Sequence, residues 1–208
     1  MILLLFLALS FIPSNEVHAE GYNHRWIALT NAGGQAMKRK DFRKAELFFE
    51  KALLESKKYG NRSKEMASSI NNLAGVSMEQ ELWKDAESYL VLALSMREDI
   101  LDPKDPGIAN TCFNLGICAF KQEKLGEAAR YFSRAIDIRY SLDQNDPRIS
   151  QEMAWLARVY KKQGRIDQAK SALEDAIAMR KRVLKKKDPT LASMEQQLSS
   201  LNSGSEGQ

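Results

Sequence analysis

Nucleophilic or acid–base catalysis needs a base next to a nucleophile, and this sequence offers few candidates. It has two histidines, His18 and His24, and two cysteines, Cys112 and Cys118. His18 falls in a segment that is interpreted below as a removable signal, so His24 alone would have to act as the base. Acidic residues are plentiful but scattered, which is typical of solvated helix surfaces. We therefore expect no enzymatic activity.

Metal and cofactor sites have equally little support in the sequence. Cys112 and Cys118 are six residues apart in one predicted helix, which separates their Cα atoms by about 9 Å, beyond the roughly 7 Å limit of a disulfide. The sequence has no zinc-type cysteine pair and no phosphate-binding glycine loop, and Gly33-Gly34 lacks the other glycines of such a loop. We expect no metal and no cofactor, and we interpret both cysteines as small buried hydrophobic residues.

Positive charge is concentrated near the end of the last long predicted helix. Arg180-Lys181-Arg182 and Lys185-Lys186-Lys187 contribute six cations to a chain whose formal net charge is +4. Cations at a helix C-terminus complement the helix dipole, and contact with an anionic envelope surface or an acidic partner is the alternative. Because the excess of positive charge is small and the sequence has no recognisable nucleic-acid-binding motif, we expect no nucleic-acid binding.

The N-terminal segment differs in kind from the rest of the chain. An almost unbroken apolar run, Ile2–Ile12, is followed by small residues at Val17 and Ala19, three and one places before Glu20. This pattern predicts a secretory signal over residues 1–19, although no Lys or Arg precedes the apolar run. An uncleaved anchor is the alternative, but a spanning helix needs about 20 apolar residues. We expect a secreted or periplasmic protein without a transmembrane anchor after cleavage.

The remainder of the sequence repeats at a nearly fixed interval. Alanines recur at steps of 41, 42 and 41 residues, namely at Ala45, Ala86, Ala128 and Ala169. Between them the apolar residues are spaced by three and four, which predicts helices, and almost nothing alternates with the period of a strand. Each unit therefore consists of two amphipathic helices.

Small residues occupy one matching position in the first helix of each unit: Gly33, Ala74, Gly116 and Ala157. Two helices of a hairpin can cross closely only where Gly or Ala removes bulk, and a larger residue one turn away fills the neighbouring gap. A bulky substitution at Gly116 is therefore expected to force the third hairpin apart.

Unit boundaries have a capping signature. Asp105-Pro106, Asp146-Pro147 and Asp188-Pro189 each place an N-cap acceptor before a proline at the first helical position. A turn at Gly60 ends one helix, and Ser63 caps the next. These signals divide residues 20–201 into hairpins at about 24–60, 63–103, 105–144 and 146–187 and a final helix at 189–201, with a disordered tail at 202–208.

This pattern resembles the tetratricopeptide repeat. The longer period, the Asp-Pro openings, and Asn72 and Asn114 directly before Leu73 and Leu115 resemble the kinesin-light-chain type of that repeat. The resemblance covers about residues 24–201 and implies an all-α, right-handed superhelical solenoid of about four hairpins plus a C-terminal capping helix. The family's usual closing proline is missing here, so we expect longer second helices.

The resemblance also implies a concave groove lined by the first helices, in which a protein or peptide partner binds. Asparagine amides can pair with an extended backbone, Met and Phe can form an adaptable apolar surface, and Arg158 and Lys161 suit a partner with acidic residues or a free carboxylate. The candidate groove residues are Asn31, Met37, Asn71, Asn72, Met78, Asn110, Phe113, Asn114, Ile117, Phe120, Gln151, Arg158 and Lys161.

The function expected from these features is that of an exported adaptor or scaffold. The alternative is a structural subunit whose terminal hairpins stack on other copies or on a larger envelope assembly. The sequence does not name the partner, because repeats of this kind bind many unrelated proteins.

Overall fold

The computed structural model describes residues 14–183 and 188–203. All regular structure within those two segments is helical, which confirms the predicted all-α class. The helices are α1 Ser14–Lys38, α2 Phe42–Ser56, α3 Lys64–Glu79, α4 Trp83–Ile100, α5 Pro106–Lys121, α6 Leu125–Leu142, α7 Pro147–Lys162, α8 Ile166–Val183 and α9 Pro189–Ser203, with a 3-10 turn at Lys57–Tyr59 after α2.

Consecutive helices pack as antiparallel hairpins, α1–α2, α3–α4, α5–α6 and α7–α8. Each second helix also packs against the first helix of the next hairpin, and α9 packs against α8 in the same way. The first helices of successive hairpins contact one another more than the second helices do. The first helices therefore lie on the inner, concave side of a helical repeat solenoid.

The helices begin where the capping signature predicted. The side chains of Asp105, Asp146 and Asp188 accept hydrogen bonds from the backbone N–H two residues later, at 2.6, 2.9 and 3.0 Å respectively. Ser63 Oγ accepts from the backbone N–H of Met66 at 3.1 Å. Each acceptor satisfies a donor that has no partner within the helix, which fixes the start of the helix.

In each hairpin turn one residue has a left-handed backbone conformation, with a positive φ. These four residues recur at the same interval as the repeated alanines. These residues are Lys40, Glu81, Glu123 and Gly164, with φ values of 57°, 59°, 60° and 75°. Only the last of the four is a glycine, although this conformation favours glycine. The four turns consequently share one geometry despite their different sequences.

Close crossings within two hairpins depend on glycine. A Cβ added to Gly116 would lie 2.6 Å from Phe132 Cε1, and one added to Gly33 would lie 2.4 Å from Phe49 Cε1. In the other two hairpins Ala74 and Ala157 belong to core clusters with Leu90 and Leu173. The first helix thus has a small residue wherever the second helix presents its large one.

Both ends of the chain differ from the expected boundaries. Helix α1 starts at Ser14, ten residues before the predicted start of the first hairpin and inside the predicted signal, whose residues 1–13 lie outside the described residues. Asn202 and Ser203 were expected in a disordered tail but belong to α9, because Leu201 is buried and Ser203 Oγ donates to Ser199 O at 3.2 Å.

Two further predictions fall wholly or partly on undescribed positions. The rest of the predicted tail, residues 204–208, and the second half of the basic cluster, Lys185-Lys186-Lys187, lie outside the described residues. Among the helices that are described, none combines the length and the hydrophobicity needed to cross a membrane.

Candidate functional site

The candidate groove residues come from α1, α3, α5 and α7, which are the first helices of the four hairpins. Phe113, Ile117 and Phe120 on α5, for example, are spaced by four and three residues, which keeps them on one side of the helix. Four of them are exposed, namely Asn31, Asn110, Gln151 and Lys161, and the other nine are partly buried. The structure thus places all of them on the helices that form the concave side.

Asparagine occupies the same position in the first three hairpins, at Asn31, Asn72 and Asn114. Within the described part of the chain the side chains of Asn72 and Asn114 make no hydrogen bond to protein atoms. Next to this row a Cβ added to Gly34 or Gly75 would meet nothing within 4 Å. The first half of the groove is therefore an open channel with free amide donors and acceptors along it.

The apolar residues of the groove are anchored more firmly than the sequence suggested. Met37 and Met78 pack against the core clusters of the first and second hairpins. Phe113, Ile117 and Phe120 pack around Phe132 and its neighbours. These side chains present only part of their surface to the groove, so they form a fixed apolar surface rather than an adaptable one.

Arg158 is held in a defined position at the far end of the groove. Its guanidinium carbon lies 4.5 Å from the centre of the Trp155 ring, and its Nε donates to Gln197 Oε1 at 2.9 Å. Burial lowers the pKa of Arg158 from its ordinary value, which expresses the cost of a cation without a nearby counter-charge. The arrangement orients the planar guanidinium for an anion that approaches along the groove.

Trp155 explains why this end differs from the rest of the groove. It occupies the position that holds asparagine in the earlier hairpins, and its ring contacts Phe120 edge-on at 5.6 Å and stacks on Phe132 at 6.0 Å. The row of amides therefore stops at the fourth hairpin, where an aromatic and a cationic side chain replace it.

Three arginines join neighbouring hairpins, and the sequence analysis singled out only one of them, Arg180, as part of the basic cluster. We call Arg97, Arg139 and Arg180 the arginine bridges. Each lies near the end of a second helix and reaches the first helices of its own and the next hairpin, or the N-cap of the next helix. They recur at steps of 42 and 41 residues, and this interval was the signal that could have identified them.

The middle bridge contains a buried ion pair. Arg139 Nε donates to Glu152 Oε1, and Arg139 Nη2 donates to Asn110 Oδ1 at 2.6 Å. Arg139 and Glu152 are 3% and 1% exposed, and a further Arg139 nitrogen lies 3.7 Å from Asp146 Oδ2. Asn110 was predicted to contact the partner, but its amide oxygen is already used by this bridge.

The other two bridges use different acceptors. Arg97 Nη1 donates to Gly107 O at 2.5 Å and to Thr111 Oγ1, and its Nη2 donates to Ser68 Oγ at 3.2 Å. Arg180 donates to the Asp188 carboxylate and, at 3.1 Å, to Ser150 Oγ. This contact gives the first half of the basic cluster a structural role, because Asp188 caps α9.

Two observations on the described residues concern metal binding and thiol reactivity. Among them there is no group of three or more His, Cys, Asp or Glu side chains that could hold a metal ion. Burial raises the pKa of Cys112 to about 11 and that of Cys118 to about 12. Both thiols therefore stay protonated at neutral pH, which makes them poor nucleophiles.

Comparison with solved structures agrees with this architecture. BtubC (BKLC) from P. vanneervenii superposes with a TM-score of 0.76 at 18% sequence identity, over 93% of this chain and 85% of that chain. Two crystal structures of a putative kinesin light chain with nearly identical TPR-like repeats, from Podosopora anserina, give TM-scores of 0.72 and 0.71 at 17% identity. They cover 85% of this chain and 84% and 85% of their own. At these identities the likeness shows a common fold.

Comparison with sequence families identifies the repeat directly. No match was found among curated proteins. Two models described as tetratricopeptide repeat match residues 65–141 and 156–190. The two matched segments together span more than half of the chain, which therefore contains tetratricopeptide repeats over those residues.

Proposed function

We propose that this protein is an adaptor that binds an extended segment of a partner protein along its concave side. The observation that carries the proposal is the pair of unpartnered amides at Asn72 and Asn114 beside the open space at Gly75. Tetratricopeptide repeats generally mediate protein–protein interaction, and nothing in the described residues competes for these amides.

An extended backbone suits this surface because it presents N–H and C=O groups at regular intervals. Each asparagine offers one acceptor oxygen and two donor hydrogens, so it can pair with both groups of a peptide unit. The contribution to affinity comes from satisfying amides that are already fixed on rigid helices, which limits the entropy lost on binding. Main-chain recognition of this kind tolerates different partner side chains.

Charge favours a partner with acidic character at the fourth hairpin. Arg158 and Lys161 have no carboxylate partner among the described residues, whereas Lys162 and Lys124 are paired with Glu123 and Glu87. An acidic group of the partner would offset the cost of keeping Arg158 half-buried and unpaired. The expected partner is therefore a peptide segment with at least one carboxylate near the end that contacts α7.

The test of this proposal begins with selecting ligands from a random peptide library on the full chain. Exchanging Asn72 and Asn114 for alanine removes two side-chain hydrogen-bonding groups, so affinity for the selected peptides should fall by about tenfold or more. The matched control is the double exchange Asn61→Ala and Asn145→Ala, which alters two exposed asparagines in turns outside the groove. Isothermal titration calorimetry measures the affinities, and thermal melting verifies that both variants fold.

Equal affinities for the groove variant and the control would contradict binding along the asparagine row. An unchanged melting temperature is expected for the groove variant, since Asn72 and Asn114 make no protein hydrogen bond that could be lost. The two measurements together separate a loss of recognition from a loss of structure.

Export is a second part of the proposal, and it rests on the apolar run Ile2–Ile12 and on the small residues Val17 and Ala19. The mature protein should begin at Glu20 and be secreted or periplasmic. N-terminal sequencing of the protein isolated from its producing cells measures this directly. A chain that still begins at Met1 and needs detergent for extraction would show that the segment is an anchor.

A further inference from the structure

The second helices form the outer, convex side of the solenoid, and ion pairs close one of the spaces between them. Between α4 and α6, Lys124 Nζ lies 2.9 Å from Glu87 Oε1, and Arg134 Nη1 lies 2.5 Å from Glu98 Oε1. Both acids belong to α4, Arg134 belongs to α6, and Lys124 directly precedes α6. The two pairs therefore join neighbouring second helices at points about three helical turns apart.

The same space one step earlier in the array, between α2 and α4, has no such pairs. The positions equivalent to the two cations hold Leu82 and Leu92, which are 47% and 51% exposed. Glu46, which is equivalent to Glu87, has no cationic partner within the described part of the chain. The space between α2 and α4 is therefore apolar and acidic where the next space is closed by charge pairs.

A cavity of about 310 Å³ lies at this place on the outer side. Buried Val76 of α3 forms its bottom, and residues of α2, of α4 and of the turn before α4 form its sides. Two acids, Glu46 and Asp85, and two exposed apolar side chains, Leu82 and Tyr89, line these sides. No Lys or Arg of the described residues lines the cavity. It is consequently complementary to a cation with an apolar stem.

The apolar surface continues beyond the cavity along α4. Leu92 follows Tyr89 by three residues, so both lie on the same side of the helix. Arg134 occupies the position in α6 that Leu92 occupies in α4, and it reaches back to the preceding second helix. Leu92 therefore faces α2. From Leu82 to Leu92 this surface extends over about 15 Å, the length of about three turns of a docked helix.

Acidic residues border this surface on both helices. Glu46 and Glu50 are one turn apart on α2, and Asp85 lies on α4. All three are exposed, and none forms an ion pair with another described residue. Such carboxylates repel nucleic acid, anionic lipid and acidic proteins, and they favour a partner that carries Lys or Arg. We call the surface formed by Leu82, Tyr89, Leu92 and these three acids the outer groove.

We propose that the outer groove binds a basic amphipathic helix of a second partner protein. One Lys or Arg of that helix enters the cavity beside Glu46 and Asp85, where its charge also contacts the Tyr89 ring. Its apolar residues, spaced by three and four, lie on Leu82 and Leu92. This surface lies on the convex side and the asparagine row on the concave side, so the protein can bind two partners at once.

Three synthetic peptides of about four helical turns test the kind of partner. The first has leucines spaced by three and four and lysines elsewhere. The second replaces each lysine with glutamate, and the third scrambles the first sequence so that no apolar face forms. Fluorescence anisotropy with the full chain should show that the lysine peptide binds about tenfold or more tightly than either of the others. NMR of the Leu82 and Leu92 methyl groups should locate it in the outer groove.

The variant Leu82→Lys assigns the binding to this groove. It places an ammonium group beside Glu46, as Lys124 lies beside Glu87, so it should weaken binding of the lysine peptide by about tenfold or more. The melting temperature should not fall, because Leu82 is exposed. The matched control is Leu142→Lys, which alters a leucine that is 52% exposed at the end of α6, outside the groove, and should leave binding unchanged.

The variant Glu46→Gln tests the charge by itself. It should weaken binding of the lysine peptide, and the difference from the parent should shrink at high salt, because exposed charges are screened. Glu174→Gln changes the net charge by the same amount at an exposed position on α8 and should have no effect.

Equal binding of the lysine and glutamate peptides would overturn the inference, and so would unchanged binding to Leu82→Lys. Loss of lysine-peptide binding in the Asn72→Ala and Asn114→Ala double variant would place that peptide on the concave side instead. The double variant should bind it as the parent does, so the outer groove and the asparagine row fail separately.

Two further results would assign the groove to another occupant. If the chain without residues 1–19 bound the lysine peptide about tenfold more tightly than the full chain, the N-terminal segment of the protein itself would cover the groove. If the parent formed a dimer that Leu82→Lys dissociates, the occupant would be a second copy. Either result would contradict a basic partner helix.

Discussion

Gly116 and Gly75 both lie inside first helices, yet their surroundings differ completely. Gly116 touches the ring of Phe132, so that even a methyl group would approach the ring carbons to within 3 Å. Gly75 faces the groove, where an added Cβ meets nothing within 4 Å. The same residue type therefore serves helix packing in one place and leaves room for a ligand in the other.

We predict opposite effects of alanine at these two positions. Gly116→Ala must move the Phe132 ring and should destabilise the fold by about 1–3 kcal/mol. Gly75→Ala removes backbone freedom from the unfolded chain without a clash and should stabilise it by about 0.5–1 kcal/mol. Chemical denaturation measures both, and each variant serves as the other's control. A stabilising effect at Gly116 would contradict the close crossing of α5 and α6.

At the residue scale the sequence predicted small core positions better than polar contacts. The repeated Gly and Ala positions, including Gly116, are buried as expected, because packing must recur in each unit. Arg97 and Arg139 recur at the same interval, but their burial is not predicted by the sequence, since a charged residue on an amphipathic helix normally lies in solvent. Asn110 was assigned to the groove from its position on the first helix of its unit, and that position does not reveal that its amide oxygen accepts a hydrogen bond from Arg139.

The arginine bridges determine how neighbouring hairpins are joined. Arg139 lies on α6, its partner Glu152 on α7 and its second partner Asn110 on α5, so one side chain connects three helices. The remaining oxygen of Glu152 and one nitrogen of Arg139 are buried without a hydrogen-bond partner in the described structure. Such a pair is costly to bury, and it is very sensitive to the loss of one member.

This sensitivity gives a prediction for single and double variants. Arg139→Met leaves Glu152 buried without its cation and should cost about 3–5 kcal/mol of unfolding free energy. Adding Glu152→Met replaces the pair by apolar groups and should recover most of that loss. Denaturant unfolding of the three proteins measures the difference. A double variant as unstable as the single one would show that the pair itself contributes the stability.

The same carboxylate predicts a pH dependence. Burial raises the pKa of Glu152 to about 7, against the opposing effect of the Arg139 guanidinium. A Glu in an unfolded chain titrates near 4.5, so between these values the folded protein binds more protons than the unfolded one. The contribution of Glu152 to stability is therefore present in acid and is lost as the pH rises from about 4.5 to about 7.

Comparison with Glu152→Gln isolates this effect from other titrating groups. The unfolding free energy of the unchanged protein, relative to that of the variant, should fall through this pH window and be flat above it. Denaturation at a series of pH values from acid to alkaline gives the two curves. Parallel curves over the whole range would mean that folding does not change the pKa of Glu152.

At the element scale, the start of a helix could be predicted where the sequence contains an N-capping residue. Asp105, Asp146 and Asp188 open α5, α7 and α9 as expected, because N-capping is a local interaction. A cavity that lies between α7 and α9, with Arg158, Leu173 and Gln197 among its lining residues, could not be predicted in this way. It depends on whether Gln197 fills the space that Trp155 fills one step earlier, and such a comparison requires the packed helices.

The whole molecule is an array in which each hairpin packs on its neighbours, so its two ends decide whether it associates with other copies. Helix α9 has buried Met194 and Leu201 on the side that packs on the fourth hairpin. Its other side carries exposed Glu195, Gln196 and Ser199. A polar outer face on a terminal element is the usual feature that keeps repeat arrays from stacking end to end.

The exposed surface of the first hairpin is less polar than the exposed side of α9. Helix α1 exposes Arg25, Gln35 and Lys38, but on α2 Leu54 is 65% exposed and Leu47 is 47% exposed. If the alternative function as a stacking subunit held, these leucines would be the apolar contact at the N-terminal end. At the other end of the array the described residues of α9 offer these leucines no complementary apolar patch, because the exposed side of α9 is polar.

We therefore predict that the protein without residues 1–19 is a monomer whose mass does not change with concentration. Size-exclusion chromatography with light scattering, over a wide range of loading concentrations, measures that mass. A head-to-tail assembly needs an apolar surface at one end of the array that pairs with a different apolar surface at the other end. The described residues of α9 supply no such surface, so the exposed leucines of α2 lack a partner for stacking. A discrete or growing oligomer that Leu54→Glu dissociates would favour the stacking subunit over the adaptor, with the contact at α2. An oligomer unaffected by Leu54→Glu would also contradict the predicted monomer and would place the contact elsewhere.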